Sequence, residues 1–99
     1  MGDAEIGAES VVAWSGAAVA TEVNGEVVLM NLERDRCHGL GETGSEIWRK
    51  MSKPIAVTEL VAQLEAEFVA TSGEIERDVL RILKEFAAEG LIEIHTGEQ

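Results

Sequence analysis

The residues best suited to chemistry are a single cysteine and two histidines, Cys37, His38 and His95. Cys37 and His38 are adjacent, and adjacent side chains of a strand point to opposite faces, so the two cannot act as a nucleophile and its base. His95 is far away in sequence, and no other pair of these residues has metal-ligand spacing. We therefore predict no catalytic residue, no metal site and no cofactor, and the chain is not expected to be an enzyme.

The composition restricts the classes of partner. The chain has 19 acidic and 8 basic side chains, a net charge of −11. Nucleic acid is held largely by neutralising its phosphates, so this charge predicts no nucleic-acid partner. No apolar run approaches the roughly 20 residues that cross a bilayer, which predicts no membrane partner. One cysteine cannot form an internal disulfide, and we expect a cytoplasmic protein.

The length of 99 residues predicts one domain over residues 1–99, with its core at about 11–95. Three amphipathic helices are predicted after residue 40. The first begins at a capping box in which Thr43 and Glu46 bond each other's backbone amides, and it ends before Pro54. A second box, residues 71–74, is expected to begin the third helix, and Gly90 is expected to end that helix as a left-handed cap.

The second and third predicted helices each carry one apolar stripe at helical spacing. The stripe of the second helix consists of Val57, Leu60, Val61, Leu64 and Phe68. The stripe of the third helix consists of Ile75, Val79, Ile82, Leu83 and Phe86. Both stripes are predicted to face the core.

A β-hairpin is predicted before the helices, around the two-residue turn Asn24-Gly25. This turn places Val23 opposite Glu26, so alternate residues share a face. One face carries Val19, Val23, Val28, Met30 and Leu32, and the other carries Ala18, Ala20, Val27 and Leu29. The first face is bulkier and is predicted to face the core.

A second turn at residues 33–35 is expected to lead into a third strand over residues 36–40, which pairs back on the hairpin. The predicted fold is an α+β, winged-helix-like domain: a three-stranded antiparallel sheet followed by three α-helices. The outer edge of the third strand has no predicted partner, and such an edge also permits an edge-paired dimer.

Several segments in order carry a resemblance to a known family. They are Val23–Leu32, Gly39–Leu40, Thr43–Trp48, Thr58–Val61, Glu67–Phe68, Asp78–Leu80 and Glu89–Ile92. Over about residues 11–95 the chain resembles the PqqD family, the precursor-peptide recognition elements of ribosomal natural-product (RiPP) pathways. It departs from the pattern at Gly41, where the family usually has Asn, and at Cys37-His38, which replaces an aromatic-rich pair.

The resemblance implies that a precursor's leader peptide binds as an added strand along the third strand, against the third helix. The implied contact residues are Arg36, Cys37, His38, Gly39, Leu40, Asp78, Val79, Ile82, Leu83 and Phe86. The run from Gly39 to Trp48 is similar to the leader-binding component of lasso-peptide systems, whose partners are a separate leader protease and a macrolactam cyclase.

Two alternatives remain open at this point. One is a precursor chaperone for a radical SAM enzyme, as in pyrroloquinoline quinone synthesis. The other is a winged-helix transcription regulator, which would need a basic recognition helix. The third predicted helix instead balances its cations against acids: Arg77, Arg81 and Lys84 stand with Glu74, Glu76, Asp78, Glu85 and Glu89.

Overall fold

The computed structural model describes residues 6–7, 9–68 and 72–95. Its strands are β1 (Val11–Trp14), β2 (Ala18–Val23), β3 (Glu26–Asn31), β4 (Arg36–Gly39), β5 (Ile55–Ala56) and β6 (Ile92–His95). Its helices are α1 (Gly41–Lys50), α2 (Val57–Glu67) and α3 (Ser72–Ala88). The predicted α+β fold is confirmed, with an antiparallel sheet β2-β3-β4 before the helices. None of the helices in the described residues is long and apolar enough to cross a membrane.

A second antiparallel sheet, in the order β5-β1-β6, was not predicted. In it Val12 lies opposite Ile94 and Trp14 lies opposite Ile92. These strands have two to four residues and join distant parts of the chain, so no local turn signal marks their pairing. This second sheet covers one end of the core, where its residues Val12 and Ile92 are buried.

The β2-β3 hairpin has the predicted turn and register. Asn24 and Gly25 have φ angles of 55° and 83°, as a type I′ turn requires, and Val23 lies opposite Glu26. The predicted choice of the core face, however, is wrong. Val27, Leu29 and Asn31 of β3 are buried, whereas the bulkier face is turned away from the helices and remains largely exposed.

We call the buried side of this sheet the inner face (Ala18, Ala20, Val27, Leu29, Asn31) and the opposite side the outer face (Val19, Val23, Val28, Met30, Leu32). Two polar contacts fix the inner face against the helices. The backbone N–H of Val27 donates to the buried Ser45 hydroxyl of α1 at 2.7 Å. The Asn31 amide donates to the carbonyl of Glu89 at 2.7 Å, just beyond α3. The Asn31 side chain belongs to the buried face, whereas the Val27 N–H lies in the plane of the sheet.

Arg49 of α1 holds the turn end of the hairpin. Its guanidinium donates to the Glu22 carboxylate at 3.0 Å and to the Gly25 carbonyl at 2.8 Å. The hydrogen bond to Glu22 raises the pKa of Arg49, so the guanidinium stays charged. These hydrogen bonds from Arg49 link the turn of the hairpin to α1.

The predicted capping box of α1 is wrong. The helix begins at Gly41, its cap residue Leu40 makes no side-chain hydrogen bond, and Thr43 lies inside the first turn. Gly41 has a φ angle of 72°, a left-handed conformation that Gly and Asn adopt most easily. Gly41 can therefore adopt this conformation without the strain that a side chain would add. Thr71 of the second predicted box lies outside the described residues.

The stripes of α2 and α3 face the core as predicted, with Leu60, Leu64, Val79 and Leu83 fully buried. The predicted end of α3 at Gly90 is also confirmed, with a φ angle of 74°. The N–H of Gly90 donates to the Ala87 carbonyl at 3.0 Å, and that of Leu91 donates to the Phe86 carbonyl at 2.9 Å. These two bonds form a Schellman motif.

Candidate functional site

Strand β4, the predicted third strand, has a free edge. It pairs with β3 on one side, and no strand of the described part of the chain pairs with its other side. The Leu40 N–H donates to the Val27 carbonyl at 3.0 Å, and inward-bonded and outward-pointing residues alternate along an antiparallel strand. The backbone groups of His38 therefore point at β3. Those of Cys37 and Gly39 point outward, where a further strand could bond them.

A cavity of about 400 Å³ lies beside this edge, between β4, the start of α1 and the second half of α3. Its apolar lining consists of Leu40, Ile82, Phe86 and Leu91. Its remaining lining consists of His38, Gly39, Glu42, Thr43, Gly44, Arg81, Glu85 and Glu89. Apolar walls with a few polar groups are typical of a ligand site, and this volume is within the usual range.

Two polar atoms at this cavity lack partners within the described residues. They are Nε2 of His38 and Oε1 of Glu89, both shielded from solvent and without a hydrogen bond. The two atoms lie 3.6 Å apart, too far to bond each other well. Because buried polar groups are normally hydrogen-bonded, a ligand group or a water molecule between β4 and α3 would complete the site.

The charge of Glu89 is balanced by two arginines. Arg34 lies 3.6 Å from one carboxylate oxygen, and Arg36 lies 3.8 Å from the other. Arg34 also donates to the Ala88 carbonyl at 3.0 Å, which neutralises the negative end of α3. Both arginines are about half exposed, so these ion pairs contribute little stability. Their cationic groups stand at the β4 end of the cavity.

The structure brings together half of the residues that the sequence implicated. His38, Gly39, Leu40, Ile82 and Phe86 all line the cavity. The other five do not. Arg36 lies at its margin beside Glu89, Cys37 is exposed, and Asp78 is exposed on α3, 3.9 Å from Arg81. Val79 and Leu83 are buried in the core and are not among the residues that line the cavity.

Several lining residues were missed by the sequence reasoning. Three of them, Arg81, Glu85 and Glu89, follow one another at four-residue spacing and therefore share one helix face. In the sequence these charges were interpreted only as a balanced set of cations and acids on the third helix. Their spacing beside Ile82 and Phe86 was the signal that could have found them. No comparable signal marks residues 42–44, which reach the cavity because α1 begins earlier than predicted.

Comparisons with known proteins found a family model that matches the chain and a similar solved structure. The family model described as "Coenzyme PQQ synthesis protein D (PqqD)" matches residues 26–92, from β3 to the beginning of β6. The chain belongs to the PqqD family. The match covers β4, α1 and α3, the elements that form the cavity of this PqqD family member. No curated protein matches the chain significantly.

A solved structure supports the same assignment. The chain is similar to the structure titled "TbiB1 in Complex with the TbiA(beta) Leader Peptide", with 31% sequence identity and a TM-score of 0.76. The similarity covers 82% of this PqqD family member and 94% of that chain. The likeness therefore extends over almost the whole of the other chain and includes its α+β fold.

Proposed function

We propose that the chain binds the leader segment of a ribosomally made precursor peptide by β-strand addition and presents it to maturation enzymes in lasso-peptide biosynthesis. The observation that carries this proposal is the free edge of β4 beside the cavity. The leader peptide in the similar TbiB1 structure supports a peptide as the ligand. The proposed enzymes are a leader protease and a macrolactam cyclase.

Strand addition explains why an edge and a cavity occur together. The outward backbone groups of Cys37 and Gly39 would bond the leader's main chain, which supplies affinity without reading its sequence. Every second leader side chain would then enter the cavity, because side chains alternate along a strand. There the apolar wall of Ile82 and Phe86, with the polar atoms of His38 and Glu89, would select the leader.

The alternative within the same class is a precursor chaperone for a radical SAM enzyme in pyrroloquinoline quinone synthesis, which the family description favours. The neighbouring genes discriminate between them. A short precursor beside a transglutaminase-like protease and an asparagine-synthetase-like enzyme supports the lasso pathway. A radical enzyme beside the gene supports the alternative.

The transcription-regulator alternative is disfavoured by charge. On α3, Arg81 lies 3.9 Å from Asp78 and 3.5 Å from Glu85, so acids accompany the cation that would face DNA. With a net charge of −11, the chain is poorly suited to release counterions from a duplex.

The test is a substitution that removes one outward amide, compared with a control that keeps it. Gly39→Pro deletes the N–H at position 39, whereas Gly39→Ala keeps it, and a Cβ at this position meets no atom within 4 Å. Isothermal titration calorimetry is performed with the leader of the neighbouring precursor and with the TbiA(beta) leader peptide. The parent and Gly39→Ala are expected to bind with Kd between about 1 μM and 1 nM, or about −8 to −12 kcal/mol. Gly39→Pro is expected to bind at least about tenfold more weakly, a difference of about 1.4 kcal/mol.

Circular dichroism must show that both variants are folded, since a proline that unfolds β4 would imitate lost binding. A folded Gly39→Pro variant that binds as tightly as Gly39→Ala contradicts strand addition. If the parent binds neither of the two leaders, the proposed function itself is contradicted.

A further inference from the structure

Two His–Glu pairs of this protein have the same spacing but different surroundings. His38 Nε2 lies 3.6 Å from Glu89 Oε1 at the cavity, and His95 Nε2 lies 3.6 Å from Glu93 Oε1 on β6. The side chains of the β6 pair are 63% and 54% exposed, so water can solvate both polar atoms. Those of the cavity pair are 23% and 25% exposed, and neither polar atom has a hydrogen-bond partner among the described residues. Of the two, the cavity pair therefore has shielded hydrogen-bonding capacity for a ligand.

The two polar atoms of the cavity pair offer one acceptor and one donor. Glu89 is a carboxylate beside Arg34 and Arg36, and its Oε1 atom accepts hydrogen bonds. The neutral imidazole of His38 can carry its proton on Nε2, the nitrogen that faces this carboxylate, and Nε2 then donates. A group that satisfies both atoms must therefore donate to Glu89 and accept from His38.

The charges around the cavity favour a neutral group. A lysine or arginine of the leader would add a third cation beside Glu89, which already has Arg34 and Arg36 next to it. A carboxylate of the leader would meet like charges, because Glu42 and Glu85 line the cavity together with Glu89. The neutral side chains that carry both a donor and an acceptor are the hydroxyls and the carboxamides.

The distance between the two polar atoms favours a carboxamide. A single hydroxyl oxygen about 2.8 Å from both atoms would hold them at an angle of only about 80°. The nitrogen and oxygen of a carboxamide are about 2.3 Å apart, so each can reach one of two atoms 3.6 Å apart through a nearly straight bond. We propose that His38 and Glu89 select a leader with asparagine or glutamine at the position that enters the cavity. The selection rests on the proposed function, because the leader must lie along β4 before its side chains can enter.

The surroundings of the pair make the choice of side chain matter. Against the apolar wall of Ile82 and Phe86, a leader leucine would leave His38 Nε2 and Glu89 Oε1 without partners. Sites that are built to hydrogen-bond a ligand reject an analogue that lacks the bonding group, because their own polar groups are then left unpaired. His38 and Glu89 are thus specificity-determining residues, whereas the backbone of β4 supplies affinity.

The test is a double-mutant cycle between the leader and the protein. The probe is the leader of the neighbouring precursor, with each Asn changed in turn to Leu and each Gln to Met. Isothermal titration calorimetry measures binding to the parent, to His38→Leu and to His95→Leu, the matched control from the exposed pair. At one leader position we expect the change to weaken binding to the parent and to His95→Leu at least about tenfold, and to His38→Leu at most about threefold.

A second measurement needs no protein variant, in case His38→Leu does not fold. In the ¹⁵N NMR spectrum of the parent, the unmodified leader is expected to shift the imidazole Nε2 signal of His38. The leader that lacks the carboxamide is expected to leave this signal close to its position in the free protein.

Three results overturn the selection of a carboxamide while the leader still binds the parent tightly. One is a leader that has neither Asn nor Gln, or whose changes at these residues all leave binding within about twofold. Another is a loss that is equally large with the parent and with His38→Leu. The third is coupling of His38 to a Ser, Thr or Tyr of the leader, changed to Ala, Val or Phe, which assigns the pair to a hydroxyl. If the parent binds no leader at all, the proposed function fails and the selection fails with it, so the two failures are distinguishable.

Discussion

The two faces of the β2-β3-β4 sheet differ in a way that residue size does not explain. The inner face carries two alanines, one valine, one leucine and one asparagine, and it is the face that packs on the helices. The outer face carries five larger aliphatic side chains, most of them exposed. The buried face carries Asn31, whose side chain donates to the Glu89 carbonyl beyond α3. Packing in the core does not account for the exposed apolar side chains of the outer face.

The largest difference between the faces is expected at Leu29 and Met30, which are neighbours on β3 and point to opposite sides. Leu29 is completely buried, so Leu29→Ala leaves a cavity and is expected to lower the free energy of unfolding by about 2–5 kcal/mol. Met30→Ala is expected to cost less than about 1 kcal/mol, because Met30 is 45% exposed. Urea denaturation monitored by tryptophan fluorescence measures both. Equal losses at the two positions would contradict the assignment of the faces.

The next difference concerns polar side chains. The Oδ1 atom of Asn31 accepts the N–H groups of Glu33 at 3.0 Å and Arg34 at 3.2 Å, in addition to the bond from its amide to Glu89. Asn31→Ala leaves these groups without their partner and is expected to cost about 1–3 kcal/mol of unfolding free energy. Thr21→Ala is the matched control, because Thr21 is an exposed polar residue on β2.

Thermal and urea unfolding should agree on this ranking, with Thr21→Ala within about 0.5 kcal/mol of the parent. A loss at Thr21 as large as that at Asn31 would mean that the outer side of the sheet contributes to the core after all. The Asn31 variant should also loosen the turn before β4, because Asn31 bonds two amides of that turn.

Features that depend on neighbouring residues could be predicted from the sequence. The Asn24-Gly25 turn sets the hairpin register, and the stripes of α2 and α3 follow from helical spacing. The cap at Gly90 is equally local. In the candidate site, the resemblance to the PqqD family implied β4 and the pair Ile82 and Phe86, and His38, Gly39, Ile82 and Phe86 line the cavity.

Features that depend on distant residues could not be predicted in the same way. The Asn31 side chain of the buried face bonds the carbonyl of Glu89, 58 residues away, and the backbone N–H of Val27 bonds Ser45, 18 residues away. The pairing of β1 with β6 is equally long-range. Val79 and Leu83 share a stripe with Ile82 and Phe86, and only the packing of α3 shows that the last two line the cavity and the first two do not.

The smallest expected effect tests the comparison most directly, because it asks whether an outer-face residue contributes to the stability of the fold. Val19→Thr is nearly isosteric, keeps a β-branched side chain on an exposed strand position, and is expected to change the free energy of unfolding by less than about 0.5 kcal/mol. The corresponding inner-face change, Val27→Thr, places a hydroxyl at a site that is 2% exposed and is expected to cost about 1–3 kcal/mol. Urea denaturation of both variants measures the contrast. If Val19→Thr were as costly as Val27→Thr, the outer face would be part of the folded core.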